Sequence, residues 1–199
     1  MTAFVLGLTG PMGAGKSTVA AMLRELGAKV LDADAIVHDE QLRGTVGYSA
    51  IVQTFGTKVL GEDKEVDRSK LAAEVFADPS KLRRLEQILH PRVIARVLEA
   101  RSMLPNDAVL VVEAIKLLDG ELRKICDRIW VVFAPRPTMI ERLGARGMGQ
   151  REAELRLAQQ LTEDEFRTAA DAVIVNDGDR DRTRERVREA WAALRGARA

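Results

Sequence analysis

The sequence predicts an α/β protein in which helices flank a parallel five-stranded sheet. An apolar strand at 4–8, a stretch of helical periodicity at 17–26 and a second strand at 29–31 follow one another near the N-terminus. This order is a βαβ unit, which implies parallel strands. Three later apolar runs supply the remaining strands, at 108–112, 128–133 and 172–175.

The region between the second and third strands has a different pattern. From about 36 to 104 the periodicity is mostly helical, with Gly, Asp and Pro as punctuation. We therefore expect a mainly helical insert within the α/β core. A final helix rich in Arg and Glu is expected at about 180–198.

The composition narrows the possible functions. The 199 residues include 31 Lys and Arg, 30 Asp and Glu and a single cysteine, Cys126, for a formal charge of +1. This balance gives no basic footprint for nucleic acid, and a lone cysteine excludes an internal disulfide. No apolar run approaches the roughly 20 residues of a membrane helix, so we expect no membrane partner. An enzyme or a nucleotide switch in the cytoplasm fits these features.

The loop after the first strand matches the phosphate-loop pattern G-x-x-x-x-G-K-[ST] in full. Its glycines let backbone N–H groups turn toward phosphate oxygens, and the helix that follows favours anions at its N-terminus. The lysine is expected to reach the β and γ phosphates, and the serine hydroxyl to bind Mg²⁺. The residues are Gly10, Pro11, Met12, Gly13, Ala14, Gly15, Lys16 and Ser17. Alone, the loop predicts a nucleoside triphosphate but not a reaction.

Carboxylates follow two of the predicted strands. Asp32 and Asp34 lie after the second strand, at the edge of an α/β sheet where ligands bind. Either residue could take a proton from an acceptor hydroxyl, and either could instead cap the next helix. Glu113 ends the third strand, as in a Walker-B arrangement that holds Mg²⁺; a strand-end carboxylate without a metal is the alternative.

Arginines surround a glycine-rich stretch at 144–149. Arg142, Arg146 and Arg151 there suit a mobile lid that closes over a transferring phosphoryl group. An exposed helix face is the alternative. His90 precedes Pro91 and is expected in a loop before a helix at 93–101, with a structural role more typical than a catalytic one.

Together these motifs resemble the dephospho-coenzyme A kinase family over nearly the whole chain. The loop extends in that family to Thr18, and Gln160 lies at a family position. The other matching pieces, in family order, are Asp32-Ala33-Asp34, Asp67-Arg68, Leu89-His90-Pro91, Ala170-Asp171 and Asn176-Asp177-Gly178.

The resemblance implies a P-loop kinase fold with three parts. These are a nucleotide-binding core (1–35, 106–139 and 166–199), a helical acceptor-binding insert at about 36–105 and a lid at about 140–165. It implies transfer of phosphate from ATP, with Mg²⁺, to the ribose 3′-hydroxyl of dephospho-CoA, the last step of coenzyme A synthesis.

The resemblance also implies roles for individual residues. Asp34 is then the base, and Arg142 and Arg146 are phosphate ligands beside Lys16. The ATP site gains Thr18, Asn176 and Gly178, and the acceptor site gains Asp32, Asp34, Arg68 and His90.

One stretch departs from the family pattern. After the third strand the family has a proline that is absent from 113–119, where Lys116 could contact a substrate phosphate or be a surface lysine. Two other functions stay open at this point: another P-loop kinase of small molecules or nucleotides, and a nucleotide-binding protein without turnover. The sequence has no Asn-Lys-x-Asp guanine motif, and it leaves the oligomeric state unknown.

Overall fold

The strands and helices follow the predicted order. The computed structural model describes residues 2–197, so positions 1, 198 and 199 of the predicted core lie outside the described part. The strands are β1 (Phe4–Thr9), β2 (Lys29–Asp32), β3 (Val109–Glu113), β4 (Arg128–Phe133) and β5 (Ala172–Val175). The helices are α1 (Lys16–Glu25), α2 (Ala33–Asp39), α3 (Val46–Phe55), α4 (Arg68–Phe76), α5 (Pro79–Ser102), α6 (Arg136–Gly144), α7 (Gln150–Ala158), α8 (Glu163–Ala169) and α9 (Arg180–Gly196).

The five strands found within residues 2–197 form one sheet in the order β2-β3-β1-β4-β5. Strand β1 runs parallel to both β3 and β4, and β4 runs parallel to β5. The predicted parallel five-stranded sheet flanked by helices is confirmed. Leu8 of β1 is paired with Glu113 of β3, so the loop after β1 and the end of β3 meet at one edge.

The core of the sheet is apolar on both sides of β1. Leu6 and Leu8 are fully buried in a cluster that also takes in Trp130 of β4 and Val187 of α9. On β1, Gly7 leaves room for neighbouring side chains, because an added Cβ would lie 2.7 Å from Ile129 Cδ1. The continuous burial of these strands explains why short apolar runs predicted them well.

Two compact units make up the chain. One contains the residues up to Leu31 together with those from Arg101 onward, and the other is Asp32–Ala100. The second unit is helical, as predicted for the insert, and has its own apolar core. Ile51, Phe55 and Leu89 are buried there, at 0%, 7% and 3% exposure.

The prediction of a loop at His90 and Pro91 is wrong. Both residues lie inside the continuous helix α5. A proline in a helix interior removes one backbone hydrogen bond. The helix continues through it because Leu89, Val93 and Val97 are buried along one face, and this burial offsets the missing bond.

The outer helices are amphipathic surface helices. Helix α9 buries Thr183 and Val187, while most of its arginines are exposed. Its first turn is capped by Asp179, whose Oδ1 accepts from the N–H groups of Asp181 and Arg182. In the described range 2–197, no helix combines the length and apolar character that crossing a membrane requires.

Candidate active site

The loop between β1 and α1 has the backbone that phosphate binding requires. Gly10, Gly13 and Gly15 have φ values of 140°, 76° and 91°, which side chains rarely adopt. At Gly15 an added Cβ would also collide with Asn176 Nδ2. Gly15 is the N-cap of α1 and has no side-chain cap, so the N-terminal end of α1 is built only from backbone.

Lys16 is held within this loop. Its Nζ donates hydrogen bonds to Gly10 O at 2.9 Å and to Pro11 O at 3.2 Å, and the residue is 8% exposed. Burying an ammonium group is costly unless it is paired or hydrogen-bonded. The two carbonyls therefore hold a positive charge at the loop, where phosphate oxygens would need it.

Ser17 and Glu113 form the candidate metal site. Ser17 Oγ donates a hydrogen bond to Glu113 Oε1, with 2.9 Å between the oxygens. Pairing of β1 with β3 brings Glu113 to the end of its strand beside the loop, where it is 9% exposed. A hydroxyl and a carboxylate are the hard oxygen donors that Mg²⁺ prefers, so the residues fit this ion.

The protein alone supplies few ligands to such an ion. Within residues 2–197 there is no group of three or more His, Cys, Asp or Glu side chains that could hold a metal. Mg²⁺ in kinase sites uses one or two protein oxygens and takes the rest from phosphates and water. Mg²⁺ bound at Ser17 and Glu113 would therefore share its coordination with the nucleotide.

Side chains from distant parts of the sequence donate hydrogen bonds to the carbonyls of the phosphate loop. Asn176 Nδ2 donates to Ala14 O at 2.8 Å, and Thr183 Oγ1 donates to Asn176 Oδ1 at 3.1 Å. Arg142 Nη1 donates to Gly13 O and Ala14 O at 3.4 and 3.2 Å. The carbonyls of Gly13 and Ala14 are thus hydrogen-bonded within the protein.

Gln160 holds the first half of the loop. Its Oε1 accepts a hydrogen bond from the N–H of Met12 at 2.9 Å. Gln160 lies between α7 and α8, so it ties this connection, which belongs to the predicted lid, directly to the phosphate loop. Neither its spacing nor its neighbours in sequence predicted that contact; only its family position marked it.

Asp32 is the N-cap of α2, which decides between the two aspartates that the sequence offered for this cap. Its Oδ1 accepts from the N–H of Asp34 at 2.9 Å and from that of Ala35 at 3.1 Å, so it starts α2. Asp34 lies in the first turn of α2, and both aspartates are exposed. One carboxylate oxygen of Asp32 is therefore engaged at the start of α2.

Most of the other predicted site residues are exposed. Arg68 is the first residue of α4 behind its N-cap Asp67, and His90 is exposed on α5. Arg146 follows α6 and is exposed, in contrast to the half-buried Arg142. Gly178 lies in the exposed turn after β5, with φ 120°. Thr18 lies in the first turn of α1, and its N–H donates to Gly15 O.

Cys126 belongs to the interior rather than to the site. The residue is 8% exposed, and burial raises the pKa of its thiol to about 11. Its Sγ–H donates to Leu122 O at 3.2 Å. Since the thiolate is the reactive form, the Cys126 thiol is unreactive near neutral pH.

Comparison with known proteins agrees with this site. A family model described as dephospho-CoA kinase matches residues 4–181. A dephospho-CoA kinase of Symbiobacterium thermophilum is 43% identical over 195 residues, covering 96% of this chain and 82% of the relative. One of Aquifex aeolicus is 40% identical over 189 residues and covers 95% and 96% of the two chains.

A solved structure of lower sequence identity has the same fold. It is a protein of Thermus thermophilus that superimposes with a TM-score of 0.87 and 32% identity. The match covers 98% of each chain.

Proposed function

Because the chain belongs to the dephospho-CoA kinase family, we propose that it transfers the γ-phosphoryl group of ATP to the ribose 3′-hydroxyl of dephospho-CoA, giving CoA and ADP. One observation supports the chemistry above all: a preformed phosphate loop with a buried, hydrogen-bonded Lys16 and a Ser17–Glu113 pair beside it. ATP enters as the phosphoryl donor and dephospho-CoA as the acceptor.

The loop binds the triphosphate of ATP. Backbone N–H groups of the loop and of the first turn of α1 donate to the β and γ phosphates, and Lys16 offsets the charge that builds up as the bond to the β-phosphate breaks. Ser17 and Glu113 are the residues that would hold Mg²⁺, which would supply further positive charge beside the phosphates. Asn176 and Arg142 stabilise the loop through the carbonyls of Gly13 and Ala14.

Asp34 accepts the proton of the acceptor hydroxyl. The 3′-oxygen forms its bond to the γ-phosphorus while the bond from phosphorus to the β–γ bridging oxygen breaks, and the hydroxyl proton passes to the Asp34 carboxylate. Support comes from its position, because Asp34 is exposed and lies two residues beyond the end of β2. Arg68 and His90 are acceptor-binding candidates in the helical unit, which is the acceptor-binding insert.

Residues 140–165 form a lid in this proposal. The segment contains Arg146, glycines at 144, 147 and 149, and Gln160, which contacts the loop. Closure of such a segment excludes water, which would otherwise compete with the ribose hydroxyl for the phosphoryl group. Arg146 binds the transferring phosphoryl group, whereas Arg142 supports the loop through Gly13 and Ala14.

The two lid arginines are predicted to respond differently to lysine. Lysine cannot reproduce the bidentate grip of a guanidinium on phosphate. We expect Arg146→Lys to lower kcat at least about tenfold with unchanged thermal stability. We expect Arg142→Lys to raise the KM for ATP and lower Tm, because its loop contacts are lost. Steady-state kinetics and a thermal melt measure both effects.

The matched control is Arg156→Lys on α7, where lysine can keep the exposed ion pair with Glu152. It should leave kcat, KM and Tm unchanged. Full activity of both the Arg142 and the Arg146 variants would show that neither arginine contributes to phosphoryl transfer.

The proposed function is tested by ADP release with a panel of acceptors. The protein with Mg²⁺ and ATP should release ADP rapidly with dephospho-CoA and slowly with adenosine, AMP or water alone. Turnover of another acceptor in place of dephospho-CoA would indicate a different P-loop kinase. ATP binding without release of ADP with any acceptor would indicate a nucleotide-binding protein without turnover.

A further inference from the structure

A cavity of about 300 Å³ lies in the core unit, beside the phosphate loop. One wall is the segment that follows β3, with Ile115, Lys116 and Asp119. A second wall consists of Gln159 and Leu161 from the connection between α7 and α8, together with the buried Phe166 of α8. This volume is at the lower end of the range for small-molecule sites.

Both walls are fastened to the strand and loop that bind phosphate. Thr9, the last residue of β1, donates from Oγ1 to Ile115 O at 3.2 Å. Gln160, on the other wall, accepts from the N–H of Met12 in the loop. The cavity is therefore held against the first half of the loop by a hydrogen bond on either side.

The acceptor's own structure requires a site in such a position. The reacting 3′-oxygen of dephospho-CoA belongs to the ribose that carries the adenine ring. The ring must therefore lie within a few bonds of the transferred phosphoryl group. Resting on the proposed function, we infer that this cavity receives the adenine ring of dephospho-CoA, and not its diphosphate.

The lining of the cavity favours a base over an anion. Ile115, Leu161 and Phe166 give it an apolar surface on which a flat ring can pack. Asp119 and Glu165 bring two carboxyl groups against the single cation, Lys116, among the residues that line it. A doubly charged diphosphate would meet repulsion in these surroundings, whereas a neutral base does not.

The carboxyl group of Glu165 is fixed and ionised. Its Oε2 accepts from the backbone N–H and the hydroxyl of Thr162, at 2.7 and 2.8 Å. These two bonds hold the pKa of Glu165 below its usual range. Repulsion toward a diphosphate therefore persists across neutral pH.

Gln159 is the side chain suited to read the base. Amide side chains pair with the N6 and N7 edge of adenine through two hydrogen bonds. Gln159 is the C-cap of α7 and lines the cavity, whereas the side-chain carbonyl oxygen of Gln160 accepts the hydrogen bond from Met12 N–H. The two adjacent glutamines thus have different roles: Gln160 positions the phosphate loop, and Gln159 binds the base of the acceptor.

The first test fills the cavity with a larger side chain. Leu161→Trp should weaken equilibrium binding of dephospho-CoA at least about tenfold and raise its KM to match, with the KM for ATP and Tm unchanged. Leu155→Trp is the matched control, because Leu155 is 60% exposed on α7 and does not line the cavity. Unchanged acceptor binding in the Leu161 variant would overturn the assignment.

The second test asks whether the protein recognises the base of the acceptor. It uses the wild-type protein and a substitution at the exposed Gln159. The wild-type protein should bind dephospho-CoA about tenfold or more tightly than its analogue with hypoxanthine in place of adenine, and Gln159→Ala should abolish this preference. A Gln159→Ala variant that keeps the full preference would overturn the adenine site. Failure of the proposed function appears separately, as absence of turnover of dephospho-CoA by the wild-type protein.

Discussion

Replacing Lys16 with alanine should lower kcat at least about 1,000-fold while the protein stays folded. The side chain carries the positive charge of the loop, and its Nζ is already held at Gly10 O and Pro11 O. No other lysine lies in the loop to replace it. Steady-state release of ADP with dephospho-CoA measures the loss, and a thermal melt verifies that the fold survives.

The control for this variant is Lys29→Ala, at an exposed lysine on β2. Its kcat and Tm should match those of the wild-type protein. If a well-folded Lys16→Ala protein were nearly as active as the control, the lysine would have no part in phosphoryl transfer, and the role assigned to the loop would have to be abandoned.

Replacing Asp34 with asparagine should lower kcat by about 100- to 10,000-fold, the usual contribution of a general base. Asparagine has nearly the same size but cannot take up a proton as a carboxylate does. The affinity for ATP should change little, because the loop and not Asp34 holds the nucleotide. Steady-state kinetics with saturating ATP measure kcat, and a separate equilibrium titration measures the affinity for ATP.

Asp32→Asn is the matched control, since asparagine caps a helix about as well as aspartate. The bonds from Asp32 Oδ1 to the N–H groups of Asp34 and Ala35 can be kept by the amide oxygen. Activity and Tm should therefore stay close to wild type. A large loss of kcat in Asp32→Asn with little loss in Asp34→Asn would show that the base is Asp32.

Much of the fold was predictable from local patterns. Strands β4 and β5 begin and end where their apolar runs predicted. Strands β1 and β2 extend one residue further than predicted, and β3 is shifted by one residue at both ends. Continuous burial makes such strands uniformly apolar, so their limits are visible in sequence. Helix α5 was harder to predict, because the burial that holds Pro91 inside it comes from tertiary packing.

The site was predictable only in part. The loop was predictable from its position after β1, and Glu113 from its position at the end of the third apolar run. The partners of the loop could not be predicted in this way, because Asn176 and Gln160 reach Ala14 and Met12 from more than 140 residues away in sequence. The contact of Arg142 with the loop carbonyls has the same origin: it depends on how α6 packs, which no spacing of arginines reveals.

The central claim is that this chain places phosphate on the 3′-oxygen of dephospho-CoA, and identification of the product tests it most directly. After incubation with Mg²⁺ and ATP, mass spectrometry should show dephospho-CoA heavier by one phosphoryl group, and ³¹P NMR should show that group coupled to the ribose 3′-proton. Recovery of unmodified dephospho-CoA from an active preparation, or phosphate at the 2′-oxygen, would contradict the account.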